Sequence, residues 1–186
     1  MPPEWTREDA ATGTAADGNR VRQLLTGDID IRIARDGTWY HEGRPIRRMA
    51  LVKLFAGILR CEDDGEYYLR TPLEKRRIRV DDAPFVAVES TVEGEGPQCR
   101  VHFRTNVDDH VTADVDHPVR VVTDPGTGAP SPYVLVRDRL EALIARPVYY
   151  DLVNRGRIAW QDGREVLGID SCGCFFVLGE TSDDAG

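Results

Sequence analysis

The 186-residue sequence has four cysteines, two lysines and no long apolar run. Its closest cysteines, Cys172 and Cys174, have no second pair at matching spacing, so neither a disulfide framework nor a zinc site is indicated. No stretch approaches the 18 or more apolar residues of a membrane span, and the N-terminus lacks the apolar core of a secretory signal. We therefore expect a cytoplasmic protein with reduced thiols and no membrane contact.

Positive charge is also scarce, because 24 basic residues face 32 acidic residues and the formal net charge is -8. A generally basic face for nucleic acid is therefore not expected. Arginine supplies every basic residue except Lys53 and Lys75. The two lysines either mark places that need a compact ammonium group or were retained by chance.

The composition, 41% hydrophobic and 30% charged, is that of a globular protein with a sizeable core. Residues 1–26 are polar and rich in small side chains, which predicts a flexible tail. In residues 28–46, alternating isoleucines and the Asp36-Gly37 turn predict a hairpin. Residues 47–60 have helical spacing and predict a helix that buries Leu51, Leu54, Phe55, Ile58 and Leu59.

Short alternating runs after this helix predict strands over 66–72, 75–80 and 84–89, and later over 99–106 and 119–124. Residues 136–153 predict a second helix, in which Leu140, Leu143 and Ile144 share a face and Pro147 introduces a kink or a new start. A hairpin around Asp162-Gly163 and a last apolar strand are predicted to complete the chain. Two glycines and a proline in residues 92–98 indicate either a hairpin loop or a domain joint, and we interpret them as the joint.

An internal repeat supports this division. Shifting the sequence by 34 positions aligns residues 69–88 with 103–122 and pairs Arg70 with Arg104, Thr71 with Thr105, Glu74 with Asp108, Asp82 with Asp116, and Pro84 with Pro118. We predict an α+β fold of two small domains, residues 27–91 and 92–183, each a β-rich module with a packed helix. A cleft between the two modules is the expected binding site.

Motifs of common enzyme mechanisms are missing, since the sequence has no phosphate loop, dinucleotide fingerprint, HExxH or GxSxG. His102 and His110 lie on one face of a predicted strand region, and nearby aspartates could add metal ligands. An acidic run among turns is more often a solvated surface. We therefore assign no catalytic residue, no metal and no cofactor.

Arginines and aromatic residues near the expected cleft suit an anionic aromatic ligand, because guanidinium groups bind phosphate and rings stack on bases. A nucleotide fits this description. Strand and helix tyrosines are, however, commonly core residues, and arginine is abundant throughout. The predicted ligand-binding residues are Trp39, Arg48, Arg70, Thr71, Glu74, Arg104, Thr105, Asn106, Arg137, Arg146 and Tyr150.

Six strings resemble, in this order, the bacterial domain-of-unknown-function family 1285 (DUF1285): DGTWYHEGRPI, ALVKLFAGIL, DGEYYLRTPLEK, DDAPFVAV, FRTNVDD and LEALIARPVYYDLV. The resemblance covers about residues 28–178. It implies two α+β domains with a duplicated core, a C-terminal half similar to pleckstrin-homology folds, and an interdomain pocket. It further implies a nucleotide-based ligand and a role in signal transduction, under oxidative stress. It supplies no catalytic residue.

The leading hypothesis is a non-enzymatic module that binds a nucleotide-like anion between its domains and acts in stress-related signalling. Two other classes remain open. One is a metal-assisted hydrolase of a phosphorylated or nucleotide substrate that uses Glu74, Asp108 or a histidine. The other is an adaptor that binds a protein partner along an exposed strand edge.

Overall fold

The computed structural model of the chain describes residues 25–180. The predicted tail is wrong at residues 25 and 26, which begin a strand, and its other residues lie outside the described range. These residues form two mostly β domains with two helices and three sheets. Neither helix, at ten residues each, has the length and apolar content needed to cross a bilayer.

Six strands build the first sheet: β1 (Leu25–Ile33), β2 (Trp39–His41), β3 (Arg44–Pro45), β4 (Leu59–Cys61), β5 (Tyr67–Arg70) and β6 (Glu74–Val80). Their order is β3-β2-β1-β6-β5-β4, with β1 and β6 parallel at the centre. The predicted hairpin is confirmed by β1 and β2, which pair antiparallel across the turn at Asp36 and Gly37. Ile31 and Ile33 are buried because alternate residues of β1 face the core.

The first predicted helix is confirmed as α1 (Met49–Ile58). Its buried face centres on Val52 and Ala56, and Phe55 stacks on the buried Trp39 ring at 6.2 Å between centroids. The prediction that Leu54 is buried is wrong, since its side chain is 62% exposed. Leu54 lies two residues from both Val52 and Ala56, which places it about 200° around the helix from each.

The second sheet also has six strands: β7 (Phe85–Glu93), β8 (Arg100–Thr105), β9 (His110–Thr112), β10 (Val119–Thr123), β11 (Pro130–Arg137) and β12 (Leu140–Ile144). They lie in the order β10-β11-β12-β7-β8-β9, and β7 and β12 are the parallel pair. Counted from the start of each domain, both sheets have the order third, second, first, sixth, fifth, fourth. The two domains therefore share one strand topology.

The alignment at a shift of 34 is wrong about which strands correspond. It places β5 on β8, which are the fifth strand of one domain and the second strand of the other. A shift of 67 instead places β5 within β11 and matches Arg70 with Arg137, Leu73 with Leu140, and Glu74 with Glu141. The repeated Arg-Thr strings therefore lie at the ends of strands that do not correspond, and the Asp-x-Pro strings precede β7 and β10, which do not correspond either.

The second predicted helix is also wrong for its first half, where β11 ends and β12 follows. Leu140, Ala142 and Ile144 are each at most 2% exposed, and the residues between them are only partly buried. This alternation with period two is that of a strand, and the short apolar run fits both patterns in sequence. Helix α2 (Arg146–Arg155) starts beside Pro147, because a proline is tolerated in the first helical turn.

The third sheet contains β13 (Arg157–Gln161), β14 (Arg164–Ser171) and β15 (Cys174–Glu180), which confirms the hairpin around Asp162-Gly163. Helix α2 is attached to it by Tyr149, whose hydroxyl donates to the Leu178 carbonyl at 2.6 Å. Ser171 connects this sheet to the second one. Its buried hydroxyl donates to the Ala113 carbonyl at 2.6 Å and accepts from the Val101 amide at 3.0 Å.

Residues 92–98, interpreted above as the domain joint, instead belong to the hairpin between the antiparallel strands β7 and β8. Strand β7 runs without interruption through the predicted boundary at residues 91 and 92. The chain passes from β6 of the first sheet to β7 of the second through residues 81–84. One apolar cluster nevertheless includes buried residues from all three sheets, so the two domains pack against each other.

Candidate functional site

A cleft of about 490 Å³ opens between the two domains. Helix α1 and β4 form one wall, and turns of the second sheet form the other. Its volume is within the range of small-molecule sites. The lining residues are Lys53, Ala56, Gly57 and Arg60 from the first domain, and Val107, Asp109, Arg137 and Asp138 from the second.

Arg60 is held in the cleft by the end of α1. Its guanidinium donates to the Leu59 carbonyl at 2.6 Å and to the Gly57 carbonyl at 3.3 Å. Within residues 25–180 it forms no ion pair with a carboxylate. The described part of the chain therefore orients this side chain with neutral acceptors and supplies no carboxylate to its positive charge.

Arg137, at the end of β11, links the two domains. One guanidinium nitrogen contacts the Asp109 carboxylate, and another donates to the Ala56 carbonyl of α1 at 2.8 Å. The guanidinium also lies 5.0 Å from the centre of the Phe85 ring, within the range of a cation–π contact. A cation beside the last carbonyls of α1 stabilises the helix end, so Arg137 has a structural role as well as a position in the cleft.

The turn between β8 and β9 presents two adjacent carboxylates to these cations. The fully buried Thr105 closes the turn, because its hydroxyl accepts from the Val107 amide at 3.3 Å and the Asp109 amide at 3.0 Å. Asp108 then adopts a left-handed conformation with φ 64°. The turn thereby directs Asp108 towards α1 and Asp109 towards Arg137.

Asp108 forms ion pairs with two cations, Lys53 of α1 and Arg104 of β8. The Lys53 ammonium, and to a smaller extent the Arg104 guanidinium, hold the pKa of the Asp108 carboxyl below its usual value. Arg104 also binds Glu89 at 2.8 Å, which with Asp108 raises the pKa of Arg104. Lys53 and Arg104 therefore both have carboxylate partners within the protein.

The cleft thus combines three cations, Lys53, Arg60 and Arg137, with two lining carboxylates, Asp109 and Asp138. Such a set can hold the oxygens of a phosphate or carboxylate group. Among the residues that the structure describes, the lining contains no aromatic residue, histidine or cysteine. It therefore offers no aromatic stacking surface for a base.

Of the eleven predicted ligand-binding residues, Arg137 lines this cleft. Beside it, Arg104 and Thr105 end β8 and Asn106 follows in the turn. Asn106 binds protein on both sides: its side-chain amide donates to the Gly37 carbonyl at 3.3 Å, and its oxygen accepts from the Val86 amide at 3.0 Å. Its observed role is to connect the domains.

The other predicted residues lie apart from the cleft lining. Trp39 is 1% exposed in the core, and Arg70 forms an ion pair with Glu62. Thr71 and Glu74 form the turn before β6, where the Glu74 amide donates to the Thr71 hydroxyl at 3.0 Å. The remaining three are exposed near the helix N-termini or on α2: Arg48, Arg146 and Tyr150.

The groups considered for metal or acid–base chemistry do not converge. No three His, Cys, Asp or Glu residues within 25–180 are arranged to hold a metal ion. His102 binds the Thr112 hydroxyl at 2.7 Å, and His117 binds Asp114 at 3.0 Å. The four cysteines are free thiols, and burial raises the pKa of Cys61 and Cys99.

Sequence reasoning missed Arg60, Asp109 and Asp138 as lining residues. Arg60 directly follows the predicted first helix, so its place at the helix end was an available signal. Lys53 carried a weak signal as one of two lysines. The positions of Asp109 and Asp138 depend on β9 and β12, which the sequence pattern did not predict.

The fold therefore defines a two-domain, mostly β protein with a polar cleft between its domains. A family model described as "Domain of unknown function (DUF1285), N-terminal domain" matches residues 23–83, and one described as "Protein of unknown function (DUF1285), C-terminal domain" matches residues 84–178. The chain belongs to the DUF1285 family, which confirms the resemblance. The division at residues 83 and 84 agrees with the passage from the first sheet to the second.

Two solved structures support this membership. A DUF1285 family protein from Silicibacter pomeroyi DSS-3 is 45% identical, with 92% of each chain covered and a TM-score of 0.78. A DUF1285 family protein from Shewanella baltica OS155 is 30% identical, with 67% of this chain and 91% of that chain covered and a TM-score of 0.52. No curated protein matches the sequence.

Proposed function

We propose that the protein is a binding module that takes a phosphorylated small molecule, such as a nucleotide, into the interdomain cleft. The observation that carries this proposal is the meeting of Lys53 and Arg60 of one domain with Arg137 of the other around one cavity. Arg60 is the central residue, because its charge is unpaired within the described chain. A phosphate group would gain a charge-assisted hydrogen bond there without first displacing a carboxylate.

Recognition in this proposal depends on the anionic part of the ligand. Neither Trp39 nor Tyr150, the two aromatic residues predicted to bind the ligand, lines the cleft. The base of a nucleotide would therefore extend towards the open side, and discrimination between bases would be weak. The proposal therefore replaces stacking of aromatic rings on the base, which was expected from the sequence, with recognition of the phosphate group.

A signalling role follows from where the ligand would bind. Arg137 already spans the domain boundary by contacting both Asp109 and the Ala56 carbonyl. A ligand that contacts Arg137 and Arg60 at the same time stabilises the arrangement of the domains in which both contacts are made, relative to arrangements in which one is lost. Binding, and not turnover, is then the event that a partner would detect.

The test is isothermal titration calorimetry with ATP and with inorganic pyrophosphate at low ionic strength. Arg60→Gln should bind at least about tenfold more weakly, since a charged hydrogen bond contributes about 1.5–3 kcal/mol. Arg44→Gln is the matched control, because Arg44 is an exposed arginine on β3, at the other edge of the same sheet from β4. Equal affinity of wild type and Arg60→Gln would refute the proposal.

A second candidate function, an adaptor for an extended peptide, rests on another surface. Strands β10 and β15 are edge strands of two different sheets, and they border a groove of about 930 Å³ that Val121, Phe175 and Val177 help to line. Edge strands bind peptides through their free backbone groups. The expected similarity of the C-terminal half to pleckstrin-homology folds is part of this second candidate function. Peptides selected on the wild-type protein should lose binding to Val121→Arg and keep binding to Arg60→Gln.

A further inference from the structure

We infer that the acidic turn at Asp108 and Asp109 competes with the ligand for the cations of the cleft, and that one of its carboxylates must be displaced when a molecule with two linked phosphates binds. This inference rests on the proposed function. The turn places Asp108 on Lys53 and Asp109 on Arg137. Two of the three cations that line the cleft are thus occupied by carboxylates of the same chain.

The arrangement of the turn supports this role. Thr105 fixes the turn through two hydrogen bonds to its hydroxyl, so the two aspartates are presented together. They then diverge, one towards α1 of the first domain and the other towards β11 of their own domain. A ligand with a single anionic group can use Arg60 without disturbing the turn. A ligand with two linked phosphates would replace Asp108 at Lys53 or Asp109 at Arg137.

The ion pair between Asp108 and Lys53 is exposed enough to exchange. The Lys53 side chain is 42% exposed and the Asp108 side chain 51% exposed. Exposed ion pairs are weak and are screened by salt, so a diphosphate can compete with them. Because Lys53 lies on α1 and Asp108 on the opposite domain, the same exchange removes one contact between the domains. Ligand binding and loosening of the α1 contact are therefore coupled.

The proposal predicts that removing a carboxylate tightens binding. Asp108→Asn should bind inorganic pyrophosphate roughly two- to fivefold more tightly than wild type, the range expected for release of one exposed ion pair. Asparagine tolerates the left-handed conformation at this position, so the turn should be retained. Asp116→Asn is the matched control: it removes the same charge from an exposed turn of the same domain, where no described residue pairs with the carboxylate.

Calorimetry with pyrophosphate on wild type, Asp108→Asn, Asp116→Asn and Arg60→Gln separates the outcomes. Tighter binding by Asp108→Asn, with Asp116→Asn binding like wild type, supports the role of the acidic turn as a competitor. If wild type binds, Arg60→Gln weakens binding and Asp108→Asn matches Asp116→Asn, the cleft proposal stands and the competitor is overturned. If no variant binds pyrophosphate, the cleft proposal fails and the competitor with it. Thermal unfolding of each variant verifies that it is folded.

Discussion

Gly37 and Asn106 form a direct contact between the two domains. The Asn106 side-chain amide donates to the Gly37 carbonyl at 3.3 Å, and Gly37 has a left-handed backbone with φ +82°. A Cβ atom at Gly37 would lie 2.5 Å from Nδ2 of Asn106. Glycine is thus needed here for its backbone conformation and for the close approach of the asparagine.

Gly37→Ala should destabilise the protein more than Gly43→Ala. Both glycines have positive φ, but a Cβ at Gly43 would have no atom within 4 Å. Backbone strain alone costs about 1–2 kcal/mol at each position, and the contact with Asn106 adds to it only at Gly37. Urea unfolding of both variants measures the difference. Equal losses would mean that the contact between the domains is not tight.

Ser171→Ala should lower the free energy of unfolding by about 1–3 kcal/mol for each polar group that it leaves unsatisfied. The buried hydroxyl forms hydrogen bonds with both the Val101 amide and the Ala113 carbonyl, and replacement by alanine leaves both groups without this partner. Ser131→Ala is the control, since the Ser131 hydroxyl, which is not fully buried, accepts from the exposed Arg35 guanidinium at 2.9 Å. Its loss should stay within about 0.5 kcal/mol. Similar values for the two variants would contradict the assigned role of Ser171.

These contacts show why the fold was only partly predictable. Alternation in β1 and the Asp36-Gly37 turn are local signals, and the structure agrees with them. The segment from Leu140 to Ile144 is compatible with both a helix and a strand, and pairing with β7 and β11 decides for the strand. Ser171 carries no local signal, because its partners lie 70 and 58 residues away.

The candidate site was predictable to a smaller extent. An interdomain cleft and Arg137 were expected, and Lys53 was noted only for its rarity. Trp39 was expected to bind ligand. In the structure its large ring is buried in the core and packs against Phe55. Position along the chain cannot reveal which of many arginines remain unpaired, since pairing depends on strands that are distant in sequence.

Tyr67 should ionise late in an ultraviolet titration. Burial raises the pKa of its half-buried hydroxyl from 10.0 to about 12. Its contribution to stability is complete below pH 10, the unfolded value, and is lost as the pH rises towards 12. Tyr67→Phe should remove one late-ionising tyrosine from the absorbance change. The hydrogen bond to Asp64 also raises the pKa of Tyr68 to about 12. Tyr68→Phe should therefore remove a second late-ionising tyrosine from the absorbance change. If all tyrosines of both variants ionised near the usual pKa of 10.0, the environments described for Tyr67 and Tyr68 would be wrong.

Asp170 should make the free energy of unfolding depend on pH in the acid range. The hydrogen-bonded Arg157 guanidinium holds the pKa of the Asp170 carboxyl below its usual value of 3.8. The contribution is present above pH 3.8 and lost as the pH falls through the lower folded value. Asp170→Asn should therefore cost about 1 kcal/mol at pH 7 and less at pH 2. Asp162→Asn, at the exposed β13–β14 turn, is the control and should change neither value. A loss that is equal at both pH values would contradict the ion-pair account.

The most direct test of the central claim is a crystal structure of the protein grown with ATP or pyrophosphate. The account predicts phosphate density in the interdomain cleft, in contact with the Arg60 guanidinium and within reach of Lys53 and Arg137. With pyrophosphate, at least one of the two carboxylates of the β8–β9 turn should have left its cation. Phosphate density at another surface, with the cleft unchanged and Arg60 free of ligand, would contradict the account.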